Sequence, residues 1–358
     1  MKNRFSRLCQ MMALTLLACF CLSALALAAD SEQNVKYRYV VIPPKPALPN
    51  QPAGTLQTWN GQFTYNGTQY NYVMVGQDPS TGQPTEVTTF LIPVKLILSN
   101  GHVYDPVAGG PMSPLARTLL SPIFDSTTTY IQGGVNVGQT QYVDAYQRGN
   151  FWSIVQNQPS YHVLLGGPTA RVSVLPELTL NVPSGSGHEG SFGGHTLAEV
   201  DINYFDTQIS NYMAQNPTIN PTNFPIFITG NTYLTEGGCC IGGYHSANGT
   251  QSYANFEYVT YTGMFSQDVS ALSHEVGEWM NDPLTPHQNN TPCGIMENGD
   301  PLEGTTNYGT YPYTLHDFTY HLQDLVFIGY FGAPLSTSVN SWWSFQNYPF
   351  TRICQNGS

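Results

Sequence analysis

Hydrophobic and polar positions alternate along residues 56–98, and this period of two predicts β-strands. The aromatic residues that alternate with polar neighbours there are Phe63, Tyr65, Tyr70 and Tyr72. The apolar run at residues 88–98 predicts a strand, and Pro93 within it predicts an edge strand or a bulge, because proline donates no backbone hydrogen bond. The N-terminal part of the folded chain is therefore predicted to be β-rich.

Later segments contain both the period of two that is typical of strands and the period of 3.6 that is typical of helices. Helices are predicted at residues 113–124, 141–156 and 201–215. Further strands are predicted at residues 162–165, 170–182, 224–229, 252–265 and 341–345. The glycine- and serine-rich residues 183–194 predict a surface loop or a flap, and residues 320–331 are compatible with a helix or a strand.

One more helix is predicted at residues 268–280. Ser266 or Asp268 is the candidate N-terminal cap of this helix. Asp282 and Pro283 stop it, because a residue that precedes a proline disfavours the helical conformation. The mixture of strands and helices predicts an α+β fold class. No change in composition divides residues 56–358, so we expect a single domain there.

The first residues have the pattern of an export signal. An apolar run at residues 11–25 follows three basic residues and precedes a small-x-small site ending at Ala28; the basic residues are Lys2, Arg4 and Arg7. This pattern predicts a signal peptide of residues 1–28, cleaved near Ala28, and hence a secreted or periplasmic protein.

Two alternatives for this segment are a lipoprotein signal at residues 16–19 and a retained membrane anchor. No later segment approaches the length of a membrane span, so no span is expected once the leader is removed. Residues 29–55 are rich in proline and predict an extended arm.

Composition limits the classes of partner. Only 9% of the residues are charged, the formal net charge is −12, and the chain has 11 lysines and arginines. This charge balance argues against nucleic acid as a partner, because binding a polyanion requires a dense basic surface. The aromatic content of 13% argues against disorder. The oligomeric state is left open.

Four cysteines lie beyond the predicted leader: Cys239, Cys240, Cys293 and Cys354. In an oxidising compartment an even number predicts disulfides. A bridge between the adjacent Cys239 and Cys240 would strain the peptide, so each is expected to pair with Cys293 or Cys354. The alternative is a thiolate metal site, although the spacing matches no zinc ribbon.

Residues 273–283, Ser-His-Glu-Val-Gly-Glu-Trp-Met-Asn-Asp-Pro, carry the most specific chemistry. His274 and Glu278 are four residues apart, so on a helix they lie on one face and can bind one ion. Glu275 lies beside that face and is the candidate general base. A nitrogen and a carboxylate ligand suit one zinc ion, and a third protein ligand leaves a position for water. The alternative is that His274 and Glu278 form a hydrogen-bonded pair on an exposed helix face.

The third ligand has several candidates. Glu297, in the segment that follows the helix, is the first choice and Asp300 the second. Asp282 is another candidate, either as a ligand or as the group that orients His274. His245 is the best distant candidate, and the alternative for it is a loop histidine with ordinary hydrogen bonds.

The helix motif with the later Glu-Asn-Gly-Asp at residues 297–300 resembles a group of secreted bacterial proteins classed as zinc metallopeptidases. Residues 240–246, Cys-Ile-Gly-Gly-Tyr-His-Ser, are distantly similar to a segment of the plant phosphate-induced, exordium-like extracellular proteins. The resemblance covers about residues 238–300. It implies that His274, Glu278 and Glu297 are metal ligands and that Glu275 is the catalytic base.

The leading hypothesis is therefore a secreted zinc metallopeptidase that acts on a protein or peptide substrate. Its expected architecture is zincin-like, with a mixed sheet and an active-site helix. The rival hypothesis is a non-catalytic extracellular, cell-wall or glycan-binding protein whose metal is structural or vestigial. An enzyme should place the ligands in an open cleft with Glu275 free of ion pairs, whereas a binding protein should cover them.

Overall fold

The computed structural model describes residues 54–284 and 289–355, together with Leu48. The predicted signal peptide of residues 1–28 lies outside the described residues, and so does most of the predicted arm of residues 29–55. Among the helices that the structure describes, none is long and apolar enough to cross a bilayer.

Twenty-one strands run in chain order through the described residues. They are β1 (Thr58–Tyr65), β2 (Thr68–Val75), β3 (Thr85–Val87), β4 (Thr89–Leu98), β5 (Val103–Tyr104), β6 (Thr129–Gln132), β7 (Val135–Gln139), β8 (Val163–Leu165), β9 (Val172–Val174), β10 (Leu178–Val182), β11 (Gly187–Phe192), β12 (His195–Asp201), β13 (Phe224–Gly230), β14 (Thr232–Thr235), β15 (Cys239–Ile241), β16 (Gly243–Asn248), β17 (Gln251–Tyr258), β18 (Asn290–Thr291), β19 (Gly294–Ile295), β20 (Thr310–Leu315) and β21 (Phe318–Gln323).

The α-helices of the same residues are α1 (Pro114–Leu119), α2 (Tyr142–Asn150), α3 (Trp152–Val155), α4 (Ile202–Gln215), α5 (Ser270–Asn281) and α6 (Asp300–Glu303). The helices predicted at residues 113–124, 201–215 and 268–280 are thus present with somewhat different bounds, whereas the single helix predicted at residues 141–156 is divided into α2 and α3. Asp201 caps α4 by accepting a hydrogen bond from the Tyr204 amide. Helix α5 begins after Val269, so neither Ser266 nor Asp268 is its cap.

A seven-stranded sheet forms the centre of the fold, in the order β10-β4-β13-β17-β16, with β5 and β9 also paired to β4. Strands β10, β4, β13 and β17 are parallel, and β16 is antiparallel to β17. Its two faces are covered by different helices: Trp279 and Val276 of α5 pack with Ile226, whereas Phe205 of α4 packs with Phe227. Strands buried on both faces explain the continuous apolar runs of the sequence.

Helix α5 is buried along its whole length. The Trp279 ring stacks on Phe224 with centroids 3.8 Å apart, and its Nε1 donates to Ser252 Oγ at 3.0 Å. Strand β21 contacts the helix as well. A helix enclosed between the central sheet and this strand presents its polar side chains to a protein interior, not to bulk water.

The predicted α+β, zincin-like fold class is wrong. Strands account for 37% of the described residues and helices for 23%, and the strands are divided among seven sheets, five of them two-stranded. The segment predicted as a loop at residues 183–194 contains β11, which pairs with β12 around Gly193 and Gly194. Both glycines have positive φ, as a two-residue hairpin turn requires. Short polar hairpins of this kind lack the apolar alternation that reveals strands in a sequence.

The strand predicted at residues 88–98 is confirmed as β4, but its predicted edge position is wrong, and so is one other strand prediction. Strand β4 is central and not at an edge; on one flank its partners end at Leu91 and resume at Val94, so Pro93 lies where that ladder is interrupted. The strand expected at residues 341–345 is absent from the described structure, where Val339–Ser341 form a 3-10 turn.

The predicted pairing of the cysteines is wrong too. Cys239 is bonded to its neighbour Cys240, and Cys293 is bonded to Cys354, with a Cα–Cα distance of 5.2 Å for the second pair. The expectation failed because it excluded a bridge between adjacent residues. That bridge lies in β15, directly before β16.

Candidate metal centre

Helix α5 supplies the first side chains of the site. His274 Nε2 lies 3.1 Å from Glu278 Oε1, so the two residues share a helix face, as their spacing predicts. Glu275 projects beside them, with its Oε1 4.0 Å from His274 Nε2. All three side chains are buried. The alternative of an exposed surface pair is therefore wrong.

Gln323 of β21 orients the His274 ring. Its Oε1 accepts a hydrogen bond from His274 Nδ1, so in the neutral imidazole the acceptor nitrogen is Nε2, on the side of Glu278. Its Nε2 donates to the carbonyl oxygens of Gly299 and Tyr308, at 3.2 Å each, and so fixes which way the amide faces. The prediction that Asp282 orients His274 is therefore wrong, because Gln323 has that role.

The turn at residues 297–300 closes over the helix. The Gly299 amide donates to Glu278 Oε1 at 3.0 Å, and Asp300 Oδ1 lies 3.6 Å from His274 Nε2. A Cβ at position 299 would overlap the His274 ring, which explains the glycine. Asn298 holds this turn by donating to the Gly277 carbonyl at 3.1 Å.

His245 reaches the same centre from β16. Its Nδ1 lies 3.3 Å from Glu275 Oε2 and 3.7 Å from Glu278 Oε2. Its Nε2 lies 3.2 Å from the Asp282 carbonyl oxygen and 3.8 Å from Glu297 Oε2. Glu275 is therefore not free of contacts, contrary to the expectation for an open catalytic cleft.

Glu297, the first choice as third ligand, lies against Glu278 and His245. Its Oε2 is buried without a hydrogen-bond partner. Glu303, at the end of α6, completes the acidic surroundings, with its Oε1 4.0 Å from His274 Nδ1. The ion pairs recorded for these carboxylates within the described chain are all with histidines.

This crowding changes the protonation of the cluster. Burial, followed by neighbouring carboxylates, raises the pKa of Glu278, Glu297 and Asp300 well above the usual range. Burial raises the pKa of Asp282 to about 8. Burial alone would lower the pKa of His274, but the opposing field of Glu275 and the other nearby carboxylates raises it to about 9. Without a cation, the cluster therefore holds extra protons.

Two sets of three side chains have ligand atoms within 4.8 Å of one another: His274, Glu278 and Asp300 in one, and His245, Glu275 and Glu278 in the other. The second-choice ligand Asp300 and the distant candidate His245 thus belong to a set, whereas Glu297 and Asp282 do not. Imidazole nitrogens and carboxylate oxygens are ligands of zinc. A nearby cation would also stabilise the buried oxygen of Glu297, which has no hydrogen-bond partner. The residues present fit a metal ion.

Sequence reasoning did not select Gln323 or Glu303. Gln323 had no local signal, because it reaches His274 only through the pairing of β20 with β21. Glu303 had a weak one, since it follows Glu297 closely in a chain otherwise poor in charge.

No protein-family model, no curated protein and no solved structure matches this chain.

Proposed function

We propose that this chain is an exported zinc-dependent metallopeptidase whose ion is bound by His274, Glu278 and Asp300. The observation that carries the proposal is the convergence of these three side chains, with His274 Nε2 at 3.1 Å from Glu278 Oε1 and at 3.6 Å from Asp300 Oδ1. Three protein ligands leave one position open, which is the arrangement of catalytic zinc sites. The resemblance of residues 273–283 to zinc metallopeptidases supports the same class.

Glu275 is the proton acceptor in this proposal. When bound, zinc acts as a Lewis acid that makes water a nucleophile near neutral pH. Glu275 lies beside the ligand set, takes the proton from the attacking water and passes it to the leaving amine. His245 lies on the other side of this carboxylate, with its Nδ1 3.3 Å from Glu275 Oε2. Gly243 leaves room for it, because a Cβ there would lie 2.9 Å from Glu275 Cγ.

Substrate reaches the centre from the side of α6. The side chains of Asp300 and Glu303 are 25% and 17% exposed, whereas those of His274 and Glu278 are 9% and 4% exposed.

The test is Glu275→Gln, which keeps the shape of the side chain and removes its basicity. We expect the variant to keep the ion of His274 and to lose hydrolysis of casein by at least about 100-fold, the size of a general-base contribution. Glu177→Gln, far from the centre at the Lys95 ion pair, is the matched control and should be fully active. Wild-type activity in Glu275→Gln would show that the assignment is wrong.

A second candidate is a non-catalytic extracellular protein with a structural ion. It is favoured by one observation, the burial of the ligands together with the contact between Glu275 and His245. The same assay separates the two: a wild-type protein that holds zinc and cleaves no peptide substrate supports the structural ion.

A further inference from the structure

We propose that this centre holds two divalent ions bridged by the Glu278 carboxylate. The inference deepens the proposed function and rests on it, because the first ion is the one bound by His274. The second ion is bound by His245, Glu275 and Glu278, a set that the sequence did not suggest.

The two oxygens of Glu278 face different histidines. Oε1 lies 3.1 Å from His274 Nε2, and Oε2 lies 3.7 Å from His245 Nδ1. Glu278 is the residue common to the two sets of ligand atoms. A carboxylate in this position can give one oxygen to each ion, and ions in two-metal hydrolytic sites lie about 3.5–4 Å apart.

Both histidines are held in the same way. His274 uses Nδ1 to donate to Gln323, and His245 uses Nε2 to donate to the Asp282 carbonyl oxygen at 3.2 Å. In the neutral form of each ring, which is the form that binds a metal, the nitrogen that faces Glu278 is therefore the acceptor. A metal-binding histidine characteristically donates its other N–H to a carbonyl or carboxylate, and that bond sets its tautomer.

Glu275 completes the second set. Its Oε2 is 3.3 Å from His245 Nδ1, while its Oε1 lies on the side of His274, 4.0 Å from Nε2. One oxygen is thus available to the second ion while the other remains beside the first. The role of Glu275 as proton acceptor is compatible with this division.

The centre contains enough carboxylates to balance the charge of two divalent ions. Five carboxylates surround the two imidazoles: Glu275, Glu278, Glu297, Asp300 and Glu303. Buried anions are tolerated only when they are paired or bind metals. The ion pairs of these carboxylates that the described chain shows are all with His245 and His274. With the five carboxylates ionised, one divalent ion would balance only two of their charges. Two divalent ions would balance four of them, and one bound proton can neutralise the fifth.

Glu297, which belongs to neither ligand set, also indicates a cation in this cluster. Glu297 Oε2 is buried, has no hydrogen-bond partner and lies 3.8 Å from His245 Nε2. A carboxylate oxygen left unpaired in the interior is costly unless a positive charge lies nearby. Metal ions bound in this cluster would supply that charge.

The test is the number of zinc ions per folded chain after saturation with zinc and removal of free metal, measured by inductively coupled plasma mass spectrometry. We expect two ions in wild type, one in His245→Ala and one in His274→Ala. His188→Ala, whose side chain is 70% exposed, is the matched control and should keep two. His245→Gln serves in addition, because it keeps a polar side chain at a buried position.

Electron paramagnetic resonance of the manganese-loaded protein gives a second measurement, because it detects magnetic coupling between two neighbouring ions. We expect an exchange-coupled pair in wild type and uncoupled manganese in His245→Ala. One zinc ion in wild type, or two ions remaining in both His245 variants, overturns the bridged pair and leaves the proposed function standing. No zinc in wild type overturns both.

Discussion

Cys293 and Cys354 join distant parts of the chain, and breaking this bridge should be costly. The bridge closes a loop with a sequence separation of 61 residues, and Cys293 lies just before the turn that carries Glu297 and Asp300. The perturbation is the double variant Cys293→Ser with Cys354→Ser. Both cysteines are half-buried, so the hydroxyls that replace the sulfurs add little desolvation cost.

The magnitude follows from the entropy of the unfolded chain. For a loop of this length, the closure entropy corresponds to about 4 kcal/mol at 25 °C. The adjacent pair Cys239 and Cys240 has a sequence separation of 1, and the same relation gives about 1 kcal/mol. The two double variants therefore differ several-fold in expected effect although each removes one bridge.

Urea unfolding followed by tryptophan fluorescence measures the difference. With a denaturant dependence of roughly 3 kcal/mol per molar for a chain of this size, the Cys293/Cys354 variant should unfold at roughly 1 M less urea than wild type. The Cys239/Cys240 variant, its matched control, should shift by less than half of that. Equal shifts in both variants, or no shift in the first, would refute the loop-entropy reasoning.

Two further perturbations test the interior. Burial raises the pKa of Asp324 to about 7 from an ordinary value of 3.8, so the folded chain holds a proton that the unfolded chain releases. The contribution of this group therefore lowers the free energy of unfolding as pH rises from about 4 to 7. The variant Asp324→Asn should remove up to about 4 kcal/mol of that pH dependence. Equal slopes of the free energy of unfolding against pH between pH 4.5 and 7.5 in variant and wild type would argue against this assignment. The variant Gly299→Ala should displace the His274 ring and weaken zinc binding about 10- to 100-fold, measured by competition titration with a chelator. Gly304→Ala is the control and should bind zinc as wild type does, because the space around a Cβ at position 304 is open. Unchanged zinc affinity in Gly299→Ala would contradict the described turn.

The part of the site that could be predicted from sequence is the part that a single helix determines. His274 and Glu278 share a face because helical geometry places residues four apart on one side. Asp300, Glu297 and His245 were all named as candidates, but their order could not be predicted. Their positions depend on the turn after α5 and on the pairing of β16 with β17, which are long-range features.

The fold was less predictable for a similar reason. The apolar run of β4 indicated a strand, yet its central position depends on partners far away in the sequence, such as β13. The hairpin of β11 and β12 had a usable signal in Gly193 and Gly194, which favour a two-residue turn. The bridge between Cys239 and Cys240 had none, because general strain arguments exclude it.

The central claim is that the side chains of α5 bind a metal ion. The most direct measurement is X-ray diffraction from zinc-soaked crystals, recorded on both sides of the zinc absorption edge. We expect an anomalous peak within bonding distance of His274 Nε2, Glu278 Oε1 and an oxygen of Asp300. A zinc-saturated crystal with no peak at these atoms would contradict the claim.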